Sequence, residues 1–171
     1  MAPSVIIRPV RPEDGAELIA ANLASIALHE PWVYPCRDEA SFLAYLRRCD
    51  GERSIGFIAR ERETGRIAGV VNLNEIVGGF FQSAYLGYYG VAPMNRRGLM
   101  SQAVSLVVTR AFRELGLHRL EANIQPGNAP SRALVKRLGF RLEGYSPRYL
   151  KIGGEWRDHE RWAVLSEEWQ G

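Results

Sequence analysis

The chain has 171 residues, 46% of them hydrophobic and 24% charged, with a formal net charge of +3. That is enough apolar material for one sizeable core and too little length for two comfortable domains, so a single domain over residues 1–171 is expected. The charge is too slight for stable nucleic-acid binding, Cys36 and Cys49 form no C-x-x-C pair or metal-spaced cluster, and no apolar run approaches the ~20 residues of a membrane span. The start, "MAPSVIIRPV", also lacks a signal-peptide pattern. A cytoplasmic protein with free thiols, no metal and no membrane association is the expectation.

"SVIIRPV" reads as a first strand ended by prolines. "RPEDGAELIAANLASIAL" has Pro12 and acids near its start, then Ile19, Leu23, Ile26 and Ala27 at helical spacing. "HEPWVYPC" breaks the pattern as an aromatic loop, and "RDEASFLAYLRRC" resumes it as a second helix. "SIGFIARE" and "GRIAGVVNLNEI" are strands joined by a hairpin at "ETG". In the second of these, Ile67, Val71 and Leu73 share one face and Ala68 and Val70 the other, which predicts burial on both sides. "SAYLGYYGV" is the next strand. From Ser101 to Leu115, Val104, Val107, Val108, Ala111 and Leu115 recur at steps of three and four, with Gly116 as a cap. "HRLEANIQ" alternates as a strand. "GNAPSRALVKRLG" is a short helix with Pro130 in its first turn. "FRLEGYSPRYL", the "KIGGEW" hairpin and "RDHERWAVL" close the chain as strands. The order predicts an α/β sheet with helices on both faces.

Two stretches carry chemistry. In "VAPMNRRGLMSQA", a strand ends near Val91 and a helix begins after Gly98. The first amides of a helix have no internal partners, and its dipole is positive there. Gly98 allows close backbone approach, and Arg96 and Arg97 add charge, so the stretch suits a pyrophosphate; a plain strand–helix turn with solvated arginines is the alternative. In "NIQPGNAPSRALVKRLGF", Asn128 and Ser131 open a helix, where they could equally serve as turn and cap residues. Both nucleotide-phosphate signatures, G-x-G-x-x-G and G-x-x-x-x-G-K-[ST], are absent.

Together the two stretches resemble the GNAT family of acetyl-CoA-dependent N-acetyltransferases. That family has a Q/R-x-x-G-x-G/A loop before a helix and a later N-x-x-S/A-x-x-L-x-x-x-x-G-F helix. "VVNLNEIVGGFFQSAYLGYYG", "RGLMSQA", "RLGFRLEGY", "YLKIGGEWRDH" and "HEPWVYPCRDEASF" are similar to its RimJ/RimL branch, the ribosomal-protein N-terminal alanine acetyltransferases. Asn95 departs from the usual Gln or Arg, and Met100 from the second small residue. The resemblance implies the GNAT fold, a mixed, mostly antiparallel sheet with helices on both faces.

It also implies that Val91, Ala92, Asn95, Arg96, Arg97, Gly98, Leu99, Met100, Ser101, Asn128 and Ser131 hold acetyl-CoA. A neutral amine attacks the thioester directly. The amine must lose a proton, the developing oxyanion needs a donor, and the leaving thiolate needs a proton. Ser131 is the expected thiolate partner, a main-chain N–H near Val91 the oxyanion donor, and Glu75 the candidate base, with Asp158 and His159 as alternatives. Trp32, Tyr88, Tyr149 and Asp158 are candidates for the acceptor groove. Lys136 and Arg137 either reach a CoA phosphate or form a solvated face. The expected acceptor is a protein N-terminus, such as that of a ribosomal protein. A small amine acceptor, a non-catalytic acetyl-CoA-binding module, an RNA-associated factor and a homodimer stay open.

Overall fold

Sequence patterning translates into one sheet. The computed structural model describes residues 4–171; residues 1–3 of the expected single domain lie outside the described residues. The strands are β1 (Val5–Pro9), β2 (Ile55–Glu61), β3 (Ile67–Val77), β4 (Ser83–Gly90), β5 (Arg119–Ile124), β6 (Arg141–Ile152) and β7 (Glu155–Leu165). Their spatial order is β1-β2-β3-β4-β5-β7-β6, antiparallel throughout except for the parallel pair β4–β5. A parallel pair needs a long crossover, and α4 (Leu99–Arg113) provides it.

The other helices are α1 (Gly15–Leu23), α2 (Ile26–His29), α3 (Glu39–Arg48) and α5 (Ala129–Arg137). The stripe of α4 behaves as its spacing predicts, with Val104, Val107, Val108 and Ala111 fully buried. The helix runs from Leu99 rather than Ser101 because Gly98, in the left-handed conformation, already ends the incoming loop. β3 is the spine of the core. Ala68, Val70, Val71 and Leu73 are all buried, and both α1 and α4 pack on this strand. The long helix expected after Pro12 is instead a short turn followed by α1 and α2, broken at Ala24 and Ser25. Ser25 is buried and its hydroxyl donates back to the Ala21 carbonyl at 2.7 Å, which competes with continuation of the helix.

One buried carboxylate ties the first strand to the second. Asp14, only 1% exposed, accepts from Arg8 at 2.8 and 2.6 Å, from Arg60 at 2.9 Å and from the Arg11 amide at 2.8 Å. Burial alone would raise its pKa, but these donors outweigh burial and hold it below the ordinary carboxylate value. Asp14→Asn is therefore expected to cost about 2 kcal/mol at pH 7, since the guanidinium groups keep access to water. A depressed pKa stabilises the fold above the unfolded value near ~3.9 and ceases to do so as pH falls through the folded one. Urea titrations should thus show the gap between native and variant closing below about pH 4.

Candidate active site

β4 and β5 are bonded only at their starts, where Ser83, Ala84 and Tyr85 pair with Arg119, Leu120 and Glu121. Beyond that the strands part. β5 stays fastened to β7 as far as Ile124, while β4 stays fastened to β3 as far as Gly90. The opening is a cleft of about 330 Å³. Its walls are β4 from Leu86 to Gly90, β5 from Ala122 to Ile124, Asn128 and Ser131 of the α5 turn, His29, Trp32, and His159 of β7.

Strand geometry decides which backbone groups face this opening. The Val91 N–H donates to the Ala68 carbonyl on β3 at 3.0 Å. Alternate residues of a strand direct their peptide groups to opposite sides. The groups of Gly90 therefore face the opening: its carbonyl accepts from His29 Nε2 at 2.8 Å, and its N–H is presented to the cleft. The Ala92 N–H is engaged by the Ser25 hydroxyl at 2.9 Å. The amides of Val91 and Ala92, both expected to serve the ligand, are thus used within the fold, and the open one lies at Gly90.

Two hydroxyls meet in the cleft. Tyr88 Oη lies 2.7 Å from Ser131 Oγ, and either can donate. Burial pushes the Tyr88 phenol up to about 12, against the pull of the Ser131 hydroxyl, so it keeps its proton at neutral pH. Ser131 is held by the start of α5, where its N–H donates to Asn128 Oδ1 at 3.3 Å. Asn128 is therefore a helix cap as well as part of the wall.

The loop before α4 forms the rim. Gly98 has φ 73° and contributes no side-chain cap, which leaves the amides of Leu99, Met100 and Ser101 without helical partners. Asn95 and Met100 line the cleft. Arg96 and Arg97 diverge. Arg97 is ion-paired with the nearly buried Glu61 and donates to Met94 Sδ at 3.1 Å, whereas Arg96 has no acidic partner among the described residues. Arg97 thus anchors the loop to β2, and Arg96 is the free charge.

The remaining expected residues separate. Trp32 and Tyr88 line the cleft. Glu75 does not: it sits at a bulge of β3 with φ 48°, its side chain 65% exposed and 3.7 Å from Arg53. Asp158 is also outside the wall. Its carboxylate receives the Tyr145 hydroxyl and the amide of Arg148 at 2.8 Å, across a bulge where β6 has extra residues opposite β7. Tyr149 stands one step behind the wall, its ring T-shaped to that of His159 with centroids 6.4 Å apart.

No carboxylate lines the cleft among the described residues, and no group of three His, Cys, Asp or Glu side chains there could hold a metal. The titratable side chains in the wall are Tyr88, Tyr89, His29 and His159. Burial lowers the pKa of both histidines. The structure adds His29 to the wall, although its sequence neighbourhood carried no signal beyond the aromatic loop that follows it. Among the described residues no helix is long and apolar enough to cross a membrane.

This geometry has close relatives. The acetyltransferase (GNAT) domain model matches residues 4–141. The chain is 36% identical over 124 residues to the probable N-acetyltransferase YjcK of Bacillus subtilis, covering 72% of this chain and 68% of that protein. It is 40% identical over 103 residues to the [ribosomal protein uS5]-alanine N-acetyltransferase of Escherichia coli, covering 60% of this chain and 53% of that one. The match thus spans about half of the E. coli relative. The structure of Mycobacterium smegmatis RimJ in complex with CoA-disulfide aligns with a TM-score of 0.87 at 31% identity, over 96% of this chain and 83% of that chain. Spermidine N-acetyltransferase from Vibrio cholerae, in complex with CoA and spermine, aligns at 0.77 and 20% identity over 96% and 97%, a likeness of fold alone.

Proposed function

The chain belongs to the GNAT acetyltransferase family, and on that premise we propose that it moves the acetyl group of acetyl-CoA to the N-terminal α-amino group of a protein. The observation that carries this reading is the parted β4–β5 edge, with the Tyr88–Ser131 hydroxyl pair and the Gly90 N–H opening on one cleft. Residues 1–171 act as one acetyltransferase domain; β6 and β7, largely beyond the family match, continue the same sheet.

The residues fit acetyl-CoA. The bare amides of Leu99, Met100 and Ser101, with Arg96 beside them, suit a pyrophosphate. Open space surrounds Gly98, so a phosphate can approach the backbone. The unpaired edge of β4 suits an amide-bearing pantetheine arm, and Asn128 flanks it. Gly90 N–H stabilises the carbonyl oxygen that gains charge, and Ser131, relayed by Tyr88, gives the departing thiolate its proton. Trp32 and Tyr88 bound the acceptor side.

The cleft favours an α-amine. An α-amino group with pKa ~8 is roughly one-tenth neutral at pH 7, whereas less than about a thousandth of an amine at ~10.4 is. A polyamine would need anionic groups to hold its further ammonium groups, and among the described residues the wall offers no carboxylate. Ribosomal-protein N-termini beginning with alanine are the proposed acceptors, in keeping with the E. coli relative. The test is thiol release from acetyl-CoA with peptides beginning Ala, Ser or Met, and with spermidine and aminoglycosides. The alanine peptide is expected to give the highest kcat/KM. Turnover of a small amine with none of the peptides would overturn the reading.

A further inference from the structure

An acceptor ammonium must shed a proton before its nitrogen can attack, and among the described residues the cleft has no carboxylate to take it. It has two imidazoles, and they are not equivalent. His29 gives its Nε2–H to the Gly90 carbonyl at 2.8 Å, and its Nδ1 is buried without a partner. Neither nitrogen is free to meet an acceptor, so His29 positions the β4 edge. His159 is oriented the other way. A carbonyl can only accept, so Nδ1, 2.9 Å from the Arg157 carbonyl, must carry the hydrogen. The lone pair of the neutral ring is then on Nε2, which has no protein partner among the described residues, while the ring itself lines the cleft.

We propose that Nε2 of His159 is the general base that takes the proton from the acceptor's ammonium group, with the Arg157 carbonyl and the Tyr149 ring positioning the imidazole. The inference rests on the amine-acetyltransferase reading above. The N–H bond of the ammonium breaks, its electron pair stays on nitrogen, and an N–H bond forms at Nε2. The resulting imidazolium keeps its Nδ1–H on the Arg157 carbonyl, and its positive charge lies beside Asp158.

The surroundings suit that task. Tyr149 contacts the ring from β6, with the ring centroids 6.4 Å apart. From α5, Arg132 is already paired with Glu160 at 2.9 Å, and Ser131 is neutral. On β7, Arg157 is paired with Glu155 at 2.7 Å, and Asp158 is the neighbouring anion. Burial lowers the His159 pKa, while the Arg157 carbonyl and Asp158 act in the opposite direction. The ring is therefore neutral and receptive at pH 7.

His159→Asn tests the proposal, because asparagine can still offer an N–H toward the Arg157 carbonyl but lacks Nε2. The assay uses whichever primary amine the unmodified protein acetylates fastest. That choice scores the acceptor reading, and the ratio of variant to unmodified protein scores His159. The variant's kcat is expected to fall about 10²-fold at pH 6.5 and to recover as pH rises toward the acceptor's own pKa, with the CoA dissociation constant unchanged. A full kcat at pH 6.5, or the same fractional loss at every pH, would overturn the assignment. Ring ¹⁵N shifts of the unmodified protein give a readout independent of the variant. They should report the Nδ1-protonated ring at pH 7, and an Nε2-protonated ring would equally overturn it.

Discussion

Ser131→Ala is expected to lower the single-turnover rate of acetyl transfer about 10²-fold, roughly 2.7 kcal/mol of barrier, while leaving CoA affinity near its original value. The hydroxyl contacts Tyr88 in the resting cleft but is needed only when the thiolate forms, so its loss belongs in the chemical step. Tyr88→Phe should cost about tenfold by removing the partner that orients and recharges Ser131. Because each hydroxyl acts through the other, the double variant should be little worse than Ser131→Ala alone. Strict additivity would separate the two groups, and a Ser131→Ala protein with full rate would remove serine from the proton path. Thermal melting of all three proteins guards against a fold defect. Ser131 is only part-buried, and its N–H to Asn128 survives the change to alanine.

Gly69→Ala carries the largest expected cost in stability. On β3, opposite Gly90, an added methyl group would drive into the Tyr89 carbonyl and the Met100 sulfur and come within 2.9 Å of Gly90 Cα. A side chain could turn aside, but two of these three neighbours are backbone in the middle of the sheet. The expected loss is about 3 kcal/mol, a fall in Tm of roughly 10 °C for a chain of this size. Activity should fall too, because the displaced backbone includes the Gly90 amide. Calorimetry showing a shift of less than about 2 °C would mean that β3 and β4 are not so closely seated near the cleft.

These two sites illustrate what could be read from residue order. α4 was legible because Val104, Val107, Val108 and Ala111 repeat at the helical period, and burial follows that period. β3 was legible because apolar residues on both faces demand two covers. Gly98, Asn128 and Ser131 were legible as a loop and a cap, and all three lie at or beside the opening. The cleft itself was not legible. It exists because β4 and β5 pair at only three positions, a fact of long-range register that no local pattern encodes.

The same holds for its contacts. Tyr88 and Ser131 are 43 positions apart, Arg97 and Glu61 are 36 apart, and His29 and Gly90 are 61 apart. Arg96 and Arg97 looked alike in sequence, and only the fold brings the buried Glu61 to one of them. Glu75 and Asp158 show the opposite limit. Glu75 sits on the bulged stretch of β3, where an extra residue turns the strand and redirects its side chains, and Asp158 lies opposite a bulge of β6 whose Tyr145 and Arg148 claim its carboxylate, neither of which local alternation encodes.

Backbone hydrogen exchange followed by NMR, with and without CoA, tests most directly whether the opening between β4 and β5 is the seat of acetyl transfer. The amide of Gly90 and those of Leu99, Met100 and Ser101 lack strand or helix partners, so they should gain protection on CoA binding while the β6–β7 hairpin stays unchanged. CoA binding that leaves those four amides exchanging as before, and protects another surface, would contradict the account.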